Sequence, residues 1–127
     1  MKNTAAKGAR FEREILHFLN NKGFSVMRAP SSGGWLSPVD VVAMKCGRII
    51  AMECKNHKKK PRLDQKQVQK FREWCDKAGA TGMLVWQMPG TGSGSEWKFL
   101  RLEDVEANQY QDENWFDLDT FMKVFCD

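Results

Sequence analysis

The sequence predicts an α/β fold, a mixed central β-sheet flanked by helices. Helix-like and strand-like segments follow one another in the order α-β-β-β-α-β-β-α, which a layered sheet accommodates. The central hairpin strands are apolar on both faces, with Val39, Val41 and Ala43 on one and Val42 and Met44 on the other. Such strands lie inside a sheet that is covered on both sides. The 127 residues, 42% hydrophobic and 28% charged, suit one domain spanning 1–127 with a modest core.

Residues 4–22 read as a helix that Thr4 can cap and Gly23 stops. At about 100° per residue, Phe11, Ile15, Leu16, Phe18 and Leu19 form one apolar arc. Glu12 falls inside that arc, while Arg13 and Glu14 fall outside it. A carboxylate aimed at the core needs a partner, either a bound cation or Lys55. Residues 24–28 form a short strand, and the Gly/Ser-rich loop 29–37 is closed by Pro38. Two strands, 39–44 and 49–55, form a hairpin around Cys46-Gly47. The basic loop Asn56–Arg62, NHKKKPR, leads into a second helix over 63–78 that Gly79 ends. That helix buries Val68, Phe71, Cys75 and Ala78, with Trp74 on the flank. Gln67, one turn before Phe71, is an accessory candidate if it leans toward the sheet. Strands at 81–87 and 97–101 flank the loop 89–95. After an acidic connector, 116–125 reads as an amphipathic helix. Leu118, Phe121, Met122 and Phe125 form one stripe of it, with Trp115 and Phe116 nearby. The stripe suits either the chain's own sheet or a partner subunit, and we favour the partner.

Charge is unevenly placed. Residues 1–62 carry 13 Lys/Arg against 4 Asp/Glu, and residues 63–127 carry 7 against 12. A basic first half points to a polyanion, nucleic acid before membrane. No run of 18 apolar residues exists, so a membrane span is not expected. Met1–Lys7 lacks the apolar stretch of a secretory signal, and a cytoplasmic protein is expected. Cys46, Cys54, Cys75 and Cys126 show neither disulfide nor zinc spacing. Ser31-Ser32-Gly33-Gly34 lacks the G-x4-G-K-[ST] pattern, so no nucleotide cofactor is expected.

The strand Ile49–Lys55 breaks its apolar pattern with Glu53 and Lys55, two apart and therefore on one face. A turn at Cys46-Gly47 sets Asp40 directly opposite Glu53, with Cβ atoms roughly 4.5–5.5 Å apart. Facing carboxylates repel, so something must compensate. Lys55 supplies part of the charge, and a divalent cation held by carboxylate oxygens supplies the rest. The backbone carbonyl of Cys54 is a candidate further ligand.

Pro38-Val39-Asp40 followed by Glu53-Cys54-Lys55 resembles the P-D…(D/E)-x-K signature of restriction-endonuclease-like nucleases. Lys7-Gly8, Glu12-Arg13-Glu14, Gly23-Phe24, Arg28, Ser32 and Asp40–Ala43 are similar, in order and spacing, to archaeal-type Holliday-junction resolvases. The resemblance covers about residues 7–86; the loop 31–38 is longer than the family's usual turn, and the region after Pro89 matches no pattern. It implies a restriction-endonuclease-like fold, a homodimer, and Mg2+-dependent cleavage of four-way DNA junctions, with Mn2+ as a substitute. It implies catalytic roles for Glu12, Asp40, Glu53 and Lys55, the three acids holding metal. Lys7, Arg13, Arg28 and Ser32 map to DNA contacts. Lys58, Lys59 and Lys60 are phosphate-contact candidates from their charge, and Trp35 from its place in the long loop. The alternatives are a phage recombination or repair nuclease acting on flap, branched or linear DNA, and a non-catalytic DNA-binding module.

Overall fold

A computed structural model describes residues 4–29, 38–88 and 96–125, with side chains from residue 10 onward in the first helix. The chain order is α1 (Thr4–Asn21), β1 (Ser25–Arg28), β2 (Val41–Lys45), β3 (Arg48–Asn56), α2 (Gln65–Ala78), β4 (Thr81–Gln87) and β5 (Trp97–Arg101). Then come α3 (Leu102–Glu106), a 3₁₀ turn at Asp112–Asn114, β6 (Phe116–Asp117) and α4 (Leu118–Phe125).

The strands form one sheet in sequential order, β1 to β6. All neighbours are antiparallel except β3 and β4, which run parallel. A parallel pair needs a crossover, and α2 supplies it. The hairpin turn is tight because Cys46 and Gly47 both adopt positive φ, 51° and 83°, the two-residue geometry that matches strand twist. Its register pairs Lys45 with Arg48 and Val41 with Met52, as expected.

Both faces are covered. Ile15 and Leu19 of α1 and Phe121 of α4 pack on Val41, Ala43, Ile50, Met52, Met83, Val85 and Phe99. Phe71 and Cys75 of α2 and Leu102 and Val105 of α3 pack on Ala51, Leu84 and Leu100. The alternation along β3 and β4 assigns each residue to one layer or the other.

Four expectations are corrected. Phe116 is not helical: it pairs with Phe99 in β6, and α4 begins only at Leu118. The C-terminal stripe packs on the chain's own sheet, where the sequence alone favours a partner: Phe121 is fully buried and stacked on Phe99 at 4.5 Å, with Leu118, Met122 and Phe125 partly buried against the same core. Gln67 does not lean toward the sheet. Helix α2 starts at Gln65, and Asp64 and Gln67 form a reciprocal cap in which each side chain accepts the other's backbone N–H, at 2.8 and 3.1 Å. Gln67 is therefore occupied in starting a helix. Finally, Val39 belongs with Phe71 and Leu84, on the face opposite Val41. The chain bends at Asp40, which interrupts the alternation there.

Candidate active site

Asp40 sits one residue before β2, yet its backbone stays in the sheet. Its N–H donates to the Met52 carbonyl, and its carbonyl accepts from Ala29, both at 2.9 Å. The ladder register ends at the Val41–Met52 pair: the Asp40 N–H reaches the same Met52 carbonyl, so residues 40 and 41 share one partner as in a β-bulge, and Asp40 does not sit in register directly opposite Glu53 as the turn predicts. The bend turns the carboxylate toward β3, where Oδ2 accepts the Cys54 N–H at 2.8 Å. Only 3% of Asp40 remains exposed.

Glu53 is partly buried beside it. Its carboxyl is pushed up to about 9, first by burial and then by its hydrogen bond to Asp40 and the Asp40 charge. Lys55 pulls in the other direction but is outweighed. Burial also raises the Cys54 thiol, which keeps that sulfur in its neutral form. An uncharged thiol beside two coupled carboxyls makes a hard-oxygen site rather than a soft one.

Glu12 points inward from α1, as its position on the apolar arc requires, and is 8% exposed. Its partner is neither Lys55 nor a second acid: Arg28 Nε donates to Glu12 Oε1 at 2.7 Å. Burial raises the Glu12 carboxyl and repulsion from Asp40 adds to it, while Arg28 opposes both. Among the described residues no three His, Cys, Asp or Glu side chains form a closed metal cage. Asp40 and Glu53 are the coupled pair, and Glu12 stands beside them in the grip of Arg28. This donor set fits a divalent cation, because a buried and a half-buried carboxyl that repel each other are relieved by shared positive charge.

The expected DNA contacts are dispersed. Arg13, Lys58 and Lys59 are exposed. Arg28 pairs with Glu12 and Lys60 with Asp112, and both cations remain partly exposed. Lys7 lies within α1, but its side chain falls outside the described residues, as do Ser32 and Trp35 altogether.

Sequence reasoning missed Gln87. It is 2% exposed at the end of β4, and its Nε2 donates to the carbonyl of Phe11, the residue before Glu12. Its own carbonyl accepts from the Asn56 side chain at 3.0 Å. Gln87 thus ties the helix carrying Glu12 to the sheet end carrying Glu53 and Lys55. The available signal was a polar residue ending a strand otherwise buried on both faces.

A mixed sheet that brings Asp40, Glu53 and Lys55 to one end, with a helical Glu beside them, defines a restriction-endonuclease-like nuclease. Comparison with known proteins makes this particular. Residues 3–123 match the archaeal Holliday junction resolvase (Hjc) family, and the chain belongs to that family. It is 35% identical over 111 residues to the crossover junction endodeoxyribonuclease Hjc of Sulfolobus acidocaldarius, covering 82% of this chain and 74% of that protein. It is 31% identical over 120 residues to the Archaeoglobus fulgidus enzyme of the same name, covering 89% and 84%. The solved structure of Archaeoglobus fulgidus Hjc, a Holliday junction resolvase, superposes with a TM-score of 0.66 at 24% identity, covering 90% of this chain and 91% of that one.

Proposed function

We propose that this chain is a divalent-metal-dependent endonuclease that resolves four-way DNA junctions by paired, symmetric nicks. The observation that carries the reading is the hydrogen-bonded Asp40–Glu53 carboxyl pair at the sheet end with Lys55 one pleat away, in a chain of this family. Asp40 and Glu53 would hold the cation, with the Cys54 carbonyl as a further donor and Glu12 completing the shell directly or through water. We read the cation as Mg2+, with Mn2+ able to substitute, since the donors are oxygens. When bound, it would supply charge stabilisation to the attacking and leaving oxygens of the phosphodiester.

The chain's own groups do the rest. Asp40 is held rigidly by the Cys54 N–H, so its free oxygen keeps one direction. Lys55 would orient the attacking water and offset charge on the phosphoryl oxygens. Arg28 would keep Glu12 ionised and in place. Arg13, Lys58 and Lys59, with Lys7, would hold phosphates and fix the register of the DNA without reading its sequence.

Paired nicks require two sites related by a two-fold axis, and one domain of 127 residues presents one. We therefore propose a homodimer, acting in the cytoplasm. No helix among the described residues is long and apolar enough to cross a membrane. The test is cleavage of labelled four-way, flap and linear duplexes with and without Mg2+. Paired nicks on the four-way junction alone support the reading. Equal turnover on linear duplex would replace it with a general nuclease, and binding without Mg2+-dependent cleavage would replace it with a DNA-binding module.

A further inference from the structure

The basic loop that follows β3 is fixed from outside by the segment 108–115, for which the sequence offered no role. His57 begins the loop two residues after Lys55, and its carbonyl accepts the Trp86 indole N–H at 2.8 Å. Trp86 meets Trp115 edge to face at 5.5 Å. Trp115 in turn donates its indole N–H to the Tyr110 carbonyl at 3.1 Å. At the loop's far end the Leu63 N–H donates to the Tyr110 hydroxyl at 3.3 Å. Arg62 lies over the Tyr110 ring at 4.4 Å and donates to Asn108 at 2.8 Å. In the middle, Lys60 pairs with Asp112, and Pro61 is buried. The two lysines left over, Lys58 and Lys59, are exposed and form no ion pair among the described residues.

A solvated lysine loop would need none of this. Three of its basic residues would be free to wander, and an acidic neighbour would simply neutralise them. Here the contacts take hold of the loop at its start, middle and end, and leave the central pair of charges outward. Ordering a flexible basic segment on DNA costs free energy that an already ordered one does not pay.

We infer that Trp86, Tyr110 and Trp115 are positioning residues that hold loop 57–62 as a preorganised phosphate grip beside the cleavage site, with Lys58 and Lys59 as its contact points. The partner is the DNA backbone of the junction, so the inference rests on the proposed function. Segment 108–115, on this view, acts as a mould for the basic loop.

The experiment compares two kinds of variant by junction binding across a salt series, with no metal present. Lys58→Ala/Lys59→Ala removes charge, so the slope of log affinity against log salt should drop by about one unit per lysine. Trp86→Phe and Tyr110→Phe each delete one hydrogen-bonding atom and no charge. Each should weaken binding by about three- to tenfold with the slope unchanged, and should speed tryptic cleavage after Lys58 and Lys59. A variant of merely structural effect would lose melting temperature without either change. Tyr110→Phe lacks only a hydroxyl, and it decides the matter if Trp86→Phe does not fold. Parent protein that binds the junction while both aromatic variants bind and resist trypsin as it does would overturn this inference alone. An unchanged slope for the double lysine variant would do the same. Parent protein that does not bind junctions would overturn the proposed function with it.

Discussion

Replacing Glu53 with Gln removes an ionisable group that the fold holds in its acid form. The Glu53 carboxyl rises from its ordinary 4.5 to about 9, chiefly through burial and then through Asp40. A group whose pKa is raised on folding contributes stability that is whole below its unfolded value and lost as pH climbs through the folded one. For Glu53 that window runs from 4.5 to about 9. Each pH unit inside it is worth at most about 1.4 kcal/mol, so the ceiling between about pH 5.5 and 8 is roughly 3 kcal/mol. Relaxation and water entry reduce such terms in real proteins, and about 1–2 kcal/mol is the expected size. At roughly 3–5 °C per kcal/mol for a domain of this length, the parent in EDTA should lose about 3–10 °C more than Glu53→Gln on going from the lower to the higher pH. Titrating groups away from the site are common to both proteins and cancel, so the difference reports Glu53 together with the neighbours it touches. Thermal melts by circular dichroism measure this directly. Saturating Mg2+ at the higher pH should restore the parent and leave the variant unmoved. Melting temperatures that fall in parallel with pH would refute the raised Glu53 carboxyl.

Asp40→Asn should reduce Mg2+-dependent cleavage by about two orders of magnitude or more while junction binding persists; single-turnover nicking and a gel-shift titration check the two halves. Arg13→Ala should lower the salt slope of junction binding by about one unit, whereas Arg28→Ala should lower it less and cost more cleavage, because its guanidinium is engaged by Glu12. Gly82→Ala should destabilise by about 1–3 kcal/mol in urea unfolding, since a Cβ there would stand 2.8 Å from Leu102 Cδ2 and 3.1 Å from Cys75 Sγ. Sedimentation at micromolar protein should show a species of twice the 14.6 kDa chain mass; a monomer that still makes paired nicks in one binding event would refute the dimer.

What the sequence made legible was whatever local pattern dictates. Strand β4 begins at Thr81 and ends at Gln87, and β5 runs from Trp97 to Arg101, as alternation and flanking glycines indicate. The hairpin register from Val41 to Met52 followed from one turn, but Asp40 reaches Glu53 through a bend the turn did not predict. Glu12 was placed inward by helical period alone. What stayed hidden were choices between distant partners. Phe116 could continue a helix or pair with Phe99 some seventeen positions earlier, and only the open edge of β5 decides for the strand. Gln67 could face the sheet or close a cap, and Asp64 three residues before it was the unread signal. The acidic connector offered no apolar period, because its work is done by single side chains, Asn108, Tyr110 and Asp112, reaching to residues 60–63.

The partner of Glu12 belongs to the same class of hidden choice, and it changes how the site's charge is read. Asp40, Glu53 and Glu12 are three carboxyls, and Arg28 and Lys55 are two cations set against them. Fully ionised, the group would carry one excess negative charge where a phosphodiester must come. Burial and the Asp40 charge favour a proton on Glu53, which relieves that excess. A divalent cation that displaces that proton leaves one excess positive charge, the complement of a single phosphodiester. Metal and DNA should therefore bind with mutual reinforcement, and metal uptake should release a proton at neutral pH. On this reading Arg28 contributes to the balance through its pair with Glu12. Without it, the same proton displacement would only bring the site back to neutrality.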